Sequence, residues 1–126
     1  MMSGTSLDGL DMALCEFAES EGGWSYNIMK TGFKAYDEPM RDNLKGAISA
    51  RGEELLRLHQ SYGQWLGTQA HDFLSQQGIR PHAIASHGHT IHHRPDLGFT
   101  CQLGDDQQIA LATGVQTVGN FRSLDV

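Results

Sequence analysis

The sequence predicts an α/β fold, in which a mixed β-sheet begins with an N-terminal β-meander and is flanked by helices. The stretch Gly52–Gln77 has apolar residues at spacings of three and four, the period of an amphipathic helix. The segment Ala83–His87 that follows is rich in small and branched residues, and a helix followed by such a strand is the α/β pattern. Near the N-terminus, Met12–Phe17 and Trp24–Phe33 flank a Glu-Gly-Gly turn, which indicates a β-hairpin.

Composition and charge limit the number of domains and argue against membrane and nucleic-acid binding. A chain of 126 residues has room for one domain with a hydrophobic core. With 39% hydrophobic residues and no apolar run of bilayer length, the chain is expected to be soluble and cytoplasmic, without a membrane partner. The net charge of −6, with no cluster of Lys and Arg, argues against nucleic-acid binding, which depends on a dense basic surface.

Two helices are expected in the first half of the chain. Asp37 can cap a short helix over Asp37–Ile48. In the longer helix Gly52–Gln77, Gly63 and Gly67 lie one turn apart. This pair of glycines indicates close approach to another backbone, for which a sheet is the expected partner.

The second half of the sequence is expected to form shorter strands and helices separated by turn residues. They are strands at Thr90–His93, Phe99–Leu103 and Val115–Gly119, and a helix at Gln107–Thr113 capped by Asp105 or Asp106.

The first eleven residues contain a segment suited to binding phosphate. Gly4 and Gly9 permit positive φ and leave room for backbone N–H groups to approach an anion, and nearby hydroxyls add donors. Carboxylates suit a phosphate site only if a cation is present, and Mg²⁺ is held jointly by carboxylates and phosphate oxygens. The candidate cofactor-binding residues are Gly4, Thr5, Ser6, Leu7, Asp8, Gly9, Leu10 and Asp11, with Asp8 as the candidate magnesium ligand. An ordinary hairpin loop uses the same residue types, so this stretch alone leaves both interpretations open.

The histidines support two interpretations. His87 and His89 would share a face of an extended segment, and histidine is the commonest metal ligand. No Cys or carboxylate lies at a spacing that would complete a metal site. Alternatively, the segment follows a predicted strand, where ligands of open α/β sheets lie. His59 and His71, on the long helix, are interpreted as structural or solvated.

Four segments in order carry a resemblance to a known family. They are Met2–Gly9, Ser86–Thr90, Gly98–Asp105 and Asn120–Val126. Together they resemble the motifs of the anhydro-N-acetylmuramic acid kinases. The resemblance covers essentially the whole chain but only about the first third of the family's usual length, so we expect an N-terminal part of such a protein.

The resemblance implies a fold and a reaction. Residues 1–126 would be the N-terminal part of the first domain of an actin-like (ribonuclease H-like) ATPase, with the second domain absent. The implied function is ATP- and Mg²⁺-dependent conversion of 1,6-anhydro-N-acetylmuramic acid to N-acetylmuramic acid 6-phosphate with ring-opening hydrolysis, in peptidoglycan recycling. The full-length protein would be a homodimer. The 126 residues alone would be inactive, because a cleft between domains needs both walls.

The resemblance also implies roles for individual residues. His87, His89, Thr90 and Arg122 would contact the sugar. The position of Asn120 is usually an aspartate that acts as general base, and an amide cannot take a proton near neutrality. Asp125 is a possible substitute. Two alternatives therefore remain: a catalytically impaired protein that binds nucleotide or sugar, and a histidine-based metal-binding domain.

Overall fold

The computed structural model describes all 126 residues and contains seven β-strands and three α-helices. This mixed composition confirms the predicted α/β class. In chain order the elements are β1 Met2–Ser3, β2 Gly9–Ser20, β3 Gly23–Ala35, α1 Glu38–Gly46, α2 Gly52–Gln77, β4 Ile84–Ala85, β5 His89–Arg94, β6 Phe99–Leu103, α3 Asp106–Thr113 and β7 Thr117–Val118. Short 3₁₀ turns cover Ala47–Ser49, Pro95–Leu97 and Phe121–Asp125.

The N-terminal meander is confirmed as an antiparallel sheet in the order β1-β2-β3. Strands β2 and β3 form the predicted hairpin, paired from Gly9 opposite Ala35 to Ser20 opposite Gly23. A bulge between Leu14 and Cys15 shifts the register within this ladder. Both strands are longer than the sequence pattern predicts because the pairing continues beyond the apolar residues.

The strands form three small sheets, and the expected mixed sheet is present only in so far as a backbone bridge joins two of them. Strands β4 and β7 form a parallel pair, and β5 and β6 form a separate antiparallel pair. Two hydrogen bonds link the meander to β4: the nitrogen of Met1 donates to the oxygen of Ala85 (2.7 Å), and the N–H of His87 donates to the oxygen of Met1 (3.1 Å). This is the pattern of a parallel bridge, so the strand row runs β3-β2-β1-β4-β7. Strands β4 and β7 are each only two residues long.

Helix α2 packs closely on α3. Its two glycines therefore approach the backbone of this helix, and not that of a sheet as the sequence predicts. A Cβ atom on Gly63 would lie 2.6 Å from the nitrogen of Asp105, and one on Gly67 would lie 2.8 Å from the Cβ of Ala112. The close approach to a backbone is confirmed, but that backbone belongs to α3 and to the residue preceding it. On the same helix, Tyr62 and Leu66 are buried in the core.

The helix ends follow the predicted capping residues. A side-chain oxygen of Asp37 accepts a hydrogen bond from the N–H of Met40 (2.9 Å), and one of Asp105 accepts from the N–H of Gln107 (2.9 Å). Asp105 is therefore the cap of α3, which leaves the carboxylate of Asp106 available for another role. No helix in the structure combines the length and apolar character that a bilayer crossing requires.

Candidate functional site

Three strands end at the same edge of the strand row. Strands β4 and β7 are parallel, with Ile84 opposite Thr117, and the bridge at Met1 makes β1 parallel to β4. The segments that follow these strands leave from that edge: Gly4–Asp8, Ser86–Gly88 and Gly119–Asn120. Ligands of open α/β sheets bind at the carboxyl ends of strands. The fold therefore brings together three of the four motifs that the sequence singles out.

The first segment, Gly4–Asp8, is named here the phosphate turn. The oxygen Oδ1 of Asp8 accepts hydrogen bonds from Oγ of Ser6 (2.6 Å) and from the N–H of Gly9 (3.1 Å). The bond from Ser6, followed by backbone bonds, lowers the pKa of the Asp8 carboxyl. Asp8 is exposed and ionised at neutral pH, and its Oδ2 accepts no hydrogen bond from the protein.

The glycines of this region have a different role from the one predicted. Neither Gly4 nor Gly9 has positive φ, and the left-handed residue of the turn is Leu7, with φ of 57°. Gly9 is buried, and a Cβ there would collide with the backbone oxygen of Lys34 and lie 2.6 Å from the ring of Phe33. Gly9 is thus required for close pairing of β2 with β3.

The remaining candidates of the opening stretch fall into two groups. Thr5, Ser6 and Asp11 are exposed, as phosphate or metal contacts require. Leu10 is 1% exposed and belongs to the hydrophobic core. It therefore anchors the start of β2, while the hydroxyls and the Asp8 carboxylate are the groups that fit Mg²⁺ together with phosphate oxygens.

A second feature of the same edge is a cavity of about 340 Å³, named here the polar cleft. No hydrophobic residue lines it. Its ten residues come from α2, the segment after β4, β6, the start of α3 and the segment after β7: His59, Ser86, His87, Gly88, Gln102, Gly104, Asp105, Asp106, Gln107 and Asn120. Its volume lies within the range of small-molecule sites, but its lining is more polar than is usual for them.

Two polar atoms in the lining residues lack a partner. Oγ of Ser86, on a residue that is 2% exposed, and Oε1 of Gln102 are buried and accept or donate no hydrogen bond. A buried polar group without a partner costs about 1–3 kcal/mol.

Asp106 brings a half-buried carboxylate into the polar cleft. Burial, and next the charge of Asp105, raise the pKa of this carboxyl, while His59 lowers it. The carboxylate packs against the Cα of Gly119 so closely that a Cβ at position 119 would collide with it. Asp106 therefore lies beside Asn120, which follows Gly119 in the chain.

His59 has the structural role that its position on the helix predicts, and it also lines the polar cleft. Its Nδ1 accepts a hydrogen bond from the N–H of Gly104 (3.2 Å), and its backbone oxygen accepts from the N–H of Asp105 (3.2 Å). The residue lines the polar cleft and holds the loop before α3. Nothing in the local sequence around His59 signals this contact, because its partners lie more than forty residues away.

Of the predicted substrate and catalytic residues, His87 and Asn120 line the polar cleft. Nδ1–H of His87 donates to the oxygen of Gly88 (3.0 Å), and its ring centre is 5.9 Å from that of Phe121. Asn120 has the left-handed φ of 52°, which turns the chain after β7 and exposes the side chain.

The other predicted residues lie outside the lining of the polar cleft. His89 is 5% exposed and its Nδ1 is 3.2 Å from Oγ of Ser3, and burial lowers its pKa. Thr90 does not line the cleft, but its Oγ1 accepts a hydrogen bond from Nε2 of the lining residue Gln102 (3.4 Å). Nε of Arg122 is 3.5 Å from Oδ2 of Asp125, so these two side chains pair with each other.

A row of polar side chains in contact with one another packs against the residues that flank the phosphate turn. From His89 the contacts continue through Ser3 to the hydroxyl of Tyr36 (2.7 Å from Oγ of Ser3) and to that of Tyr62 (2.7 Å from Tyr36). The backbone N–H of Tyr36 also donates to the oxygen of Asp8 (3.1 Å). Tyr36 thus contacts the residues at both ends of the turn.

Comparison with known proteins adds the family. A sequence model described as anhydro-N-acetylmuramic acid kinase matches residues 1–126. The chain belongs to this family. Proteins named anhydro-N-acetylmuramic acid kinase include one from Pseudomonas fluorescens (strain Pf0-1), 37% identical over 132 residues, and one from Xanthomonas oryzae pv. oryzae (strain MAFF 311018), 38% identical over 135 residues. Both alignments cover 100% of this chain but only 35% and 36% of the relatives, so the chain spans about a third of their length.

Membership in the anhydro-N-acetylmuramic acid kinase family confirms the resemblance predicted from the four motifs. The histidine-based metal site finds no support, since no group of three or more His, Cys, Asp or Glu side chains is arranged to hold a metal ion. His87 points to a backbone oxygen, and His89 to the hydroxyl of Ser3.

Proposed function

We propose that the complete protein carrying this chain is an ATP-dependent kinase of 1,6-anhydro-N-acetylmuramic acid. It would form N-acetylmuramic acid 6-phosphate and ADP, with hydrolysis of the anhydro bond, in cytoplasmic peptidoglycan recycling. The observation that carries this proposal is the family match over all of residues 1–126. The accessible phosphate turn and the polar cleft at one edge of the strand row give it a structural basis.

The proposal includes the architecture of the complete protein. An antiparallel meander followed by short parallel strands, with helices packed against them, is consistent with the first part of an actin-like (ribonuclease H-like) ATPase domain. The second wall of the active site, and a homodimer, would be supplied by the complete protein. We therefore expect residues 1–126 alone to give no turnover.

Each half of the proposed site has a defined task. The phosphate turn offers backbone N–H groups, the hydroxyls of Thr5 and Ser6 and the ionised Asp8 carboxylate to Mg²⁺ and the ATP phosphates. When bound, Mg²⁺ would neutralise charge on the transferred phosphoryl group. The polar cleft offers His87 and its other polar lining residues to the sugar.

The test is turnover by the complete protein. It should convert 1,6-anhydro-N-acetylmuramic acid, Mg·ATP and water into the 6-phosphate and ADP, detected by mass spectrometry and by ADP release. Omitting the sugar or replacing ATP with a non-hydrolysable analogue should abolish the product. If purified, folded protein yields no 6-phosphate at any pH between 5 and 9, the assignment is wrong.

A second candidate is a protein that binds the same ligands without catalysis, which Asn120 favours because it lines the cleft and has no basic form near neutrality. In that case calorimetry would detect binding of nucleotide or sugar, the native protein would give no product, and Asn120→Asp would gain turnover.

A further inference from the structure

Strand β3 forms one edge of the strand row and has no strand on its outer side. It pairs with β2 from Gly23 to Ala35 and with no other strand. Every residue of β3 except Gly32 is exposed. The opposite edge of the row is β7, which is only two residues long. A free edge of 13 residues presents a row of backbone N–H and C=O groups that can pair with another chain.

The first half of this edge lacks the protection that edge strands usually have. Charged residues, proline and bulges commonly prevent pairing at an edge. Residues 23–29 contain no charged residue and no proline. The bulge comes at Met29, which has no partner on β2, and Lys30 and Lys34 follow it. The segment Gly23–Met29, named here the open segment, is therefore the part of the edge that is able to pair.

The open segment carries a row of exposed apolar side chains. Tyr26 lies opposite Phe17 of β2, with ring centres 6.3 Å apart, and Trp24 lies opposite Glu19. Residues two positions apart on a strand share a face, so Trp24, Tyr26 and Ile28 lie on one side of the sheet. Trp24 and Tyr26 are 70% and 72% exposed. Contiguous exposed apolar groups of this kind mark interaction sites.

The open segment is complementary to a second copy of itself. Tyr26 is its midpoint, between the turn of the hairpin and the bulge. In an antiparallel pair centred on Tyr26, Trp24 of each copy lies opposite Ile28 of the other, and Ser25 lies opposite Asn27. Apolar residues then face apolar ones on one side of the sheet, and polar residues face polar ones on the other. Cross-strand pairs of these kinds stabilise antiparallel sheets.

Charge favours the same arrangement. Glu19 and Glu21 lie at the turn of the hairpin, whereas Lys30 and Lys34 lie beyond the bulge, and all four are exposed. An antiparallel second copy lays the acidic turn of one hairpin along the basic half of the other, which brings Glu21 next to Lys30. Opposite charges across a strand pair are favourable, and the symmetry of the pair repeats the contact at the other end.

We propose that the open segment is a homodimer surface, at which β3 of two copies pairs antiparallel about Tyr26 and joins the two strand rows into one sheet. The rings of Phe17 and Tyr26 from both copies then form a continuous row across the join. The inference rests on the proposed function only for the homodimer, to which it assigns a surface, and it does not require kinase activity.

The first test is the mass of the complete protein in solution, measured by sedimentation velocity over a range of concentrations. We expect a pair of copies. Tyr26→Lys should raise the dissociation constant of the pair by about tenfold or more, because it removes the aromatic contact and sets two like charges opposite each other. Thr31→Lys is the matched control, since it adds the same charge to β3 at an exposed position that faces the acidic turn of the second copy. It should not raise the dissociation constant.

The second test reads the register by cross-linking. In a background of Cys15→Ser and Cys101→Ser, Tyr26→Cys should form a disulfide between two copies on mild air oxidation. Opposite residues of an antiparallel pair have Cα atoms about 4.5–5.5 Å apart, which a disulfide can span. Trp24→Cys should not cross-link, because its counterpart in the second copy lies opposite Ile28, about 13 Å away along the strand.

Three results would overturn the inference. One is a complete protein that remains a single copy at every concentration. Another is a pair of copies whose dissociation constant Tyr26→Lys leaves unchanged, which would place the interface elsewhere. The third is a Trp24→Cys protein that cross-links as readily as Tyr26→Cys. None of these measurements reads turnover, so failure of the kinase assignment is distinguishable from failure of this inference.

Discussion

The hydroxyl of Tyr36 donates a 2.7 Å hydrogen bond to Oγ of Ser3, the last residue before the phosphate turn. Through its backbone N–H, Tyr36 also holds the oxygen of Asp8 at the end of the turn. A single residue after β3 thus fixes both ends of the segment proposed to bind nucleotide. This geometry makes Tyr36 a positioning residue.

Tyr36→Phe should therefore weaken both stability and nucleotide binding. The free energy of unfolding should fall by about 1–3 kcal/mol, because Ser3 and Tyr62 lose a buried partner. Tyr62→Phe is the matched control: it removes the contact between the two tyrosines but keeps the bond from Tyr36 to Ser3. Urea unfolding and the KM for ATP measure the two effects. Equal KM values for both variants would contradict a positioning role.

Asp8→Asn should reduce the affinity for Mg·ATP more than the affinity for the sugar. The substitution removes the ionised carboxylate but can retain the hydrogen bond from Ser6 to the side-chain oxygen. Isothermal titration with Mg·ATP and with the sugar separates the two ligands, and Asp96→Asn, an exposed residue paired with Arg94, is the control. A loss of affinity for sugar alone would show that the turn does not handle phosphate.

Gly67→Ala should destabilise the protein, although alanine is the better helix former. Its Cβ would lie 2.8 Å from the Cβ of Ala112 and 2.9 Å from the oxygen of Gln108, so α3 must move. Such overpacking typically costs about 1–3 kcal/mol. Gly46→Ala, where no atom lies within 4 Å of the added Cβ, should instead be stabilising. Thermal unfolding compares them, and a raised melting temperature for Gly67→Ala would refute the packing argument.

The buried His89 should make stability depend on pH. Burial, and next the neighbouring His87, lower the pKa of His89 below the ordinary value of 6.5. Well above pH 6.5 the histidine is neutral in both the folded and unfolded states. As pH falls below that value, the unfolded state takes up a proton that the folded state refuses, so the free energy of unfolding decreases until the lowered pKa is reached.

His89→Asn tests this linkage because asparagine can contact Ser3 but does not titrate. The free energy of unfolding of His89→Asn should decrease less steeply below pH 6.5 than that of the parent. His82→Asn, at an exposed position, should keep the parental decrease. Parallel curves for parent and His89→Asn would mean that this histidine is not the linked group.

Much of the fold follows from local sequence signals. The helix Gly52–Gln77 has the predicted bounds, because its apolar period is long and Gly78, with φ of 63°, ends it. Asp37 and Asp105 cap helices as predicted, since capping depends on residues three or fewer positions away. The division of the sheet was not predictable in this way, because the lengths of β4 and β7 depend on pairing between distant segments.

Residues of the site can be predicted from the sequence only where they belong to a recognisable motif. The motifs Ser86–Thr90, Gly98–Asp105 and Asn120–Val126 each contribute residues to the lining of the polar cleft. His59 and Tyr36 carry no local signal, since their contacts to Gly104 and Ser3 join residues far apart in the chain. The burial of His89 was missed because alternation within β5 does not reveal which of its faces meets the core.

The parallel pairing of β4 with β7 has a consequence for synthesis of the protein. The ribosome releases β4 well before β7, and α3 is made between them. Until β7 emerges, the backbone groups of β4 that it will pair with have no partner, and the polar cleft lacks the wall formed by Asn120. The nascent chain can therefore form its hairpin and long helix early, but the polar cleft is complete only after β7 and Asn120 have emerged.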